Sequence, residues 1–156
     1  MRYLLLAATL LNIGQAAEPA NDFAFRFEYG RCTTDVLDTF QGVFMSDSGV
    51  RGANLSIPLT IPPDSLRAVY QAITAAQFFQ YPSDFRVKGN TRFGPSNHYR
   101  LEVRNAGLEH VVSWRDNSAP STDEANRLRD MFSTITRVIR SLPQAQSLPV
   151  ANVGCA

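Results

Sequence analysis

Phe23, Phe25, Phe27 and Tyr29 alternate with Ala24, Arg26 and Glu28 in the stretch DFAFRFEYG at positions 22–30. Period-two alternation of large apolar and polar residues predicts a strand with one buried face. RCTTDVLD at 31–38 is polar and reads as a turn region. TFQGVFMSD at 39–47 predicts a second strand, with Gly42 marking a bulge, and SDSGVRG predicts a loop. ANLSIPLTI at 53–61 predicts a third strand on the alternation of Leu55, Ile57, Leu59 and Ile61. Pro58 lacks an N–H and confines that strand to an edge, or to a position whose donor would face solvent.

The period then changes. From Pro62 to Tyr81, Leu66, Val69, Tyr70, Ile73 and Ala76 recur at helical spacing. Prolines fit the first turn of a helix, Asp64 suits its positive end, and Tyr81-Pro82 ends it. SDFRVKGNTRFGPSN at 83–97 has no period and predicts a long loop. HYRLEVRNAGLEHVVSWRDN at 98–117 predicts a hairpin with Ala106-Gly107 at its tip. In that register Tyr99 faces Trp114, Leu101 faces Val112 and Val103 faces His110 on one face. Arg104 lands opposite Glu109 on the other, a favourable cross-strand pair. A three-residue loop closing on Gly107 is also a common turn, but the resulting slip would put Glu109 on the apolar face.

STDEANRLRDMFSTITRVIRSL at 121–142 predicts the last helix. Ser121 and Glu124 match a capping box, and Ala125, Leu128, Phe132, Ile135, Ile139 and Leu142 form one stripe. The expected order is βββ-α-ββ-α, an α+β fold. About five antiparallel strands carry two amphipathic helices on one face. The expected domain spans 22–142, followed by a tail at 143–156. The other sheet face is left to solvent or to a partner.

Composition adds limits. At 156 residues the chain fits one domain. Fourteen of its fifteen basic residues are arginine and Lys88 is the only lysine, while the net charge is +1. So small a charge supplies no general attraction to nucleic acid, and none is expected as a partner. Arginine suits carboxylates and phosphates, although a bias in overall composition is the simpler explanation of the excess.

The N-terminus carries the strongest signal. Arg2 precedes the apolar run YLLLAATLLNI, too short to span a bilayer comfortably. Gly14-Gln15-Ala16 then offers small residues for cleavage. Residues 1–16 are therefore expected to be a signal peptide, cut after Ala16, with Ala17 as the second site. The expected product is periplasmic or secreted and has no transmembrane segment. In an oxidising compartment Cys32 and Cys155 are a disulfide candidate. A buried Cys32 with an unpaired Cys155 is the other arrangement.

Chemistry-bearing motifs are sparse. The hairpin register puts His98 and His110 on opposite faces, with His110 a hydrogen-bonded core residue. Cys32, His98, His110 and Cys155 contain no close pair suited to zinc. No nucleophile elbow, P-loop or dinucleotide fingerprint appears, and no metal, cofactor or catalytic residue is expected. One constellation stands out. Arg86, Lys88 and Arg92 interleave with Phe85 and Phe93 on the loop, beside His98, Arg100, Arg104 and Arg115 of the hairpin's polar face. Together they suit an anionic ligand such as an envelope glycan carboxylate. A solvated face, with Glu102 and Glu109 neutralising the charge, accounts for the same residues.

The runs FEYGRCTTDVLDTFQGVFMSD, IPLTIPPDSLRAVYQAI, FFQYP, HYRLEV and HVVSWRDN resemble a group of small bacterial exported proteins and lipoproteins of unknown function. The resemblance spans roughly residues 22–142 and rests on the pattern YGxC…DVLDTFxGxF…D. It implies an exported single α+β domain and assigns no substrate or catalytic residue. Lipoproteins of this kind carry a lipobox cysteine, and none follows the apolar run here. The expectation is a non-enzymatic exported domain that binds an envelope component or partner protein through its exposed sheet face and the 84–97 loop. A hydrolase-type enzyme using His98 with a nearby carboxylate, Glu102 or Asp84, is the alternative. A structural or inhibitory module is the third.

Overall fold

The computed structural model describes residues 17–47, 54–89, 96–117 and 121–148. The element order is β1 (Ala24–Gly30), β2 (Thr34–Asp38), β3 (Val43–Asp47), β4 (Asn54–Pro58), α1 (Pro63–Ala75), β5 (Asp84–Phe85), β6 (Asn97–Asn105), β7 (Leu108–Asp116), α2 (Asp123–Ser141) and α3 (Pro143–Gln146). The strands form one sheet in the order β4-β3-β2-β1-β6-β7-β5. Every pairing is antiparallel except the β5–β7 contact at the edge.

The α+β class holds, but among the described residues the sheet has seven strands and is mixed, not five and antiparallel. Two strands account for the difference. The polar stretch after β1 forms β2, because Leu37 reaches the core while Asp35 and Asp38 find side-chain donors. The long loop contributes β5, whose Asp84 and Phe85 lie parallel to Ser113 and Trp114. Gly42, with φ of 67°, sits in the β2–β3 turn and not at a bulge. Pro58 closes the edge strand β4, as its missing donor requires.

The hairpin register is the expected one throughout. Tyr99 pairs with Trp114, Leu101 with Val112, Val103 with His110 and Arg104 with Glu109. Ala106 and Gly107 both have positive φ, the conformation of a two-residue hairpin turn. Both of their amides donate to the Asp22 carboxylate at 2.7 Å, which ties the segment before β1 to the hairpin tip.

α1 stops at Ala75 rather than Tyr81, because Gln77 adopts a left-handed φ of 57° and residues 78–80 form a 3-10 turn. The cap of α2 is Thr122, whose hydroxyl accepts from the Ala125 amide at 3.2 Å. Ser121, the expected cap, lies one residue too early and donates to the Asn126 side chain instead. The expected tail is not all irregular: it begins with α3, and Ala145 and Leu148 pack on the core.

One face of the sheet is covered. Phe25, Phe27, Leu37, Leu101, Val103 and Val112 join Val69, Ile73, Leu128, Phe132, Ile135 and Ile139 in a single core. Phe132 lies stacked on Tyr99 at 4.4 Å and on Phe27 at 5.4 Å between centroids. Such pairs add about 0.5–1.5 kcal/mol each beyond their buried area. Among the described residues no helix is long and apolar enough to cross a membrane.

Candidate functional site

The uncovered face carries charges in alternate positions of β1 and β6. Their registry places Arg26 opposite Glu102, and Glu28 opposite Arg100. The side chains link into a ladder. Arg26 binds Glu28 at 3.0 Å and the buried Asp38 at 3.3 Å, while Arg100 lies 3.3 Å from Glu102 and 3.6 Å from Glu28. Arg104 closes on Glu109 at 2.7 Å and sets its guanidinium 4.9 Å from the centre of the Phe40 ring. Two arginines of the expected basic patch are thus neutralised in place. Arg86 is held by Asp84 at 2.6 Å in the same way.

At the β5 side the face deepens into an open cleft of about 620 Å³. Residues 84–87 and Gly89 form one wall, and His98, Arg100, Ser113 and Arg115 form the other. β5 creates the cleft by pairing with β7 and bringing the loop back across the hairpin. Lys88 is exposed on the same segment but is not one of the residues that line the cleft. Arg115 is exposed, and neither it nor Lys88 joins an ion pair among the described residues. Arg92 and Phe93 fall outside the described residues. Of the expected constellation, Arg86, His98, Arg100 and Arg115 therefore share one cleft, and Arg104 lies away from it.

His98 is half-buried and bonds through Nε2 to the Thr34 hydroxyl at 2.9 Å. Burial and the neighbouring Arg115 charge hold its pKa below the usual 6.5, with Glu28 opposing. The ring is consequently neutral at neutral pH. Its hydrogen-bond partner is a hydroxyl, whereas Glu102 and Asp84 are engaged by Arg100 and Arg86. The imidazole–carboxylate pair that the hydrolase alternative needs is not formed by these residues. Gly30 faces His98 in the sheet. A Cβ at Gly30 would lie 1.8 Å from the Thr33 carbonyl oxygen and 3.2 Å from His98 Cε1, so only glycine fits. His110 is on the opposite face, as its parity requires. Its Nε2–H donates to the Tyr81 carbonyl at 2.8 Å, and its ring meets Phe78 edge-on.

A second cavity, of about 680 Å³, opens on the helical side between the ends of β1–β3 and the α2–α3 corner. Tyr29, Phe44 and Ile139 form its apolar wall; Asp35, Ser46 and Arg140 supply polar groups. The Ser46 hydroxyl donates to Asp35 at 2.9 Å, and the Asp47 amide bonds the same carboxyl. Burial raises the Asp35 pKa, and the Tyr29 hydroxyl is pushed up by burial and by the Asp35 charge. Sequence reasoning missed this site because its groups are scattered along the chain. The one local signal was the parity of Asp35 with Leu37, which puts the carboxylate on the core-facing side of β2.

Cys32 lies between β1 and β2, and among the described residues no cysteine is free. Cys155 and the predicted signal peptide lie outside the described residues. Among the described residues no group of three or more His, Cys, Asp or Glu side chains is arranged to hold a metal ion. No known protein-family model matches the chain, and no curated protein matches it.

Proposed function

We propose that this chain is an exported, non-enzymatic binding domain that holds an anionic envelope component in the cleft between the 84–89 segment and the β6–β7 hairpin. One observation carries the reading: Arg86, His98, Arg100 and Arg115, drawn from a loop and two strands, line a single open cleft. The guanidinium of Arg115, which joins no ion pair among the described residues, supplies its net positive character. Arg86 and Arg100 reach the ligand from positions already fixed by Asp84, Glu28 and Glu102. An acidic polysaccharide suits such a surface, since its carboxylates recur and match guanidinium geometry. The face centre contributes less, because its charges are paired.

The test is retention of the purified chain on immobilised alginate, a uronate polymer, at low ionic strength. Arg115→Glu should elute earlier, while Arg104→Glu, away from the cleft, should elute nearly as wild type. Added salt should weaken retention by screening. Unchanged retention of the Arg115 variant would remove the proposal. The same reading includes export and oxidation. Protein recovered from a secreting host should begin at Ala17 and carry a Cys32–Cys155 bond visible as a cross-linked peptide. An intact Met1 terminus would refute export, and separate thiol-labelled peptides would refute the bond.

A further inference from the structure

We infer that the cavity between the β1–β3 ends and the α2–α3 corner is a binding site for a small zwitterion, namely a free α-amino acid with an apolar side chain. The argument rests on where its charges stand. Asp35 projects from β2 toward the helices, half-buried, and takes hydrogen bonds from the Ser46 hydroxyl and the Asp47 amide. Neither is a cation, and Asp35 joins no ion pair among the described residues. A half-buried carboxylate held by neutral donors retains the capacity to accept from an ammonium.

Arg140, in the last turn of α2, supplies the opposite charge. It is exposed, lines the same cavity, and lies near enough to influence Asp35 and Tyr29 electrostatically. Arg31, on the turn after β1, also lines it. Neither guanidinium has a carboxylate partner among the described residues. A simple amine would be drawn to Asp35 and repelled by both arginines. A simple anion would meet the reverse. A molecule carrying an ammonium and a carboxylate on one carbon satisfies both ends at once. Phe44, Ile139 and Leu148 then offer an apolar wall for its side chain. The cavity of about 680 Å³ falls within the usual range for small-molecule sites, about 300–1,000 Å³. This site lies on the helical side of the sheet, so it stands or falls independently of the anionic cleft.

The probes are L-phenylalanine and L-leucine, titrated into the full mature chain and followed by calorimetry. The controls are phenethylamine, which lacks the carboxylate, and 3-phenylpropionate, which lacks the ammonium. The amino acids should bind, and each control should bind at least about tenfold more weakly, the equivalent of one lost charge-assisted contact. Asp35→Asn keeps an acceptor for Ser46 and should lose at least about tenfold in affinity while leaving the thermal midpoint near wild type. Arg140→Gln alters an exposed residue and should weaken L-phenylalanine but not phenethylamine. Absence of any heat or chemical-shift change at about 10 mM amino acid, a concentration above the range of specific small-molecule binding, would overturn the inference. So would equal affinity for the amine, or wild-type affinity in a correctly folded Arg140→Gln variant.

Discussion

Replacing Arg129 by methionine isolates the ion pair that fastens α2 to the end of the sheet. Asp116, the last residue of β7, has a side chain only 4% exposed, and Arg129 grips it through two bonds of 2.8 Å. The same guanidinium lies 5.2 Å from the centre of the Trp114 ring. Methionine keeps most of the stem packing and removes the charge. Breaking a buried pair from one side costs about 3–5 kcal/mol, because the remaining charge stays desolvated. Arg129 is itself 25% exposed, which places the expected loss near the lower bound, at about 3 kcal/mol. For a chain of this size that lowers the thermal midpoint by about 6–12 °C. Urea unfolding followed by Trp114 fluorescence measures the free energy directly. Asp116→Asn together with Arg129→Met should cost less than the two single changes added, by about 1 kcal/mol or more. A single-variant loss within about 0.5 kcal/mol, the scatter of neutral surface changes, would refute the view that this pair is buried and coupled.

Two more predictions concern His98 and the glycine that faces it. Gly30→Ala forces a Cβ to 1.8 Å from the Thr33 carbonyl, so the β1–β2 turn must shift; a loss of about 1–3 kcal/mol in denaturant unfolding is expected. A wild-type midpoint would contradict that geometry. His98 has its pKa below the ordinary 6.5 in the folded chain. Its contribution to stability is therefore complete above about pH 6.5 and is lost as pH falls through the folded value, because the unfolded chain takes up the proton first. The stability gap between wild type and His98→Gln should shrink between about pH 8 and pH 5, and a constant gap would show that the imidazole is not desolvated.

The hairpin was legible because both of its faces constrained it. Any slip would have buried Glu109 or exposed Leu101, so only one register satisfied the alternation and the Arg104–Glu109 pair together. α2 was legible for the same reason: its stripe runs from Ala125 to Ile139 without interruption. β2 was not, since Thr34, Asp35 and Asp38 resemble turn residues until Ser46 and Arg26 are placed beside them. β5 has two residues and no pattern can be read from so few. The arginine constellation was visible as composition, and the Arg104–Glu109 pair followed from the hairpin register, but the pairing through Glu28 did not. Which guanidinium meets Glu28 depends on β1 lying beside β6, which no local window contains. The helical-side cavity was hidden further still, because Asp35 and Arg140 are brought together only when α2 lies across the sheet.

The place of β1 also orders events during synthesis. It lies in the middle of the sheet, between β2, which follows at once, and β6, which begins only at Asn97. While the first ninety or so residues emerge, Phe25 and Phe27 have neighbours on one flank alone, and the other edge of β1 offers unpaired amides to whatever is nearby. The central strand is committed only when the far hairpin arrives.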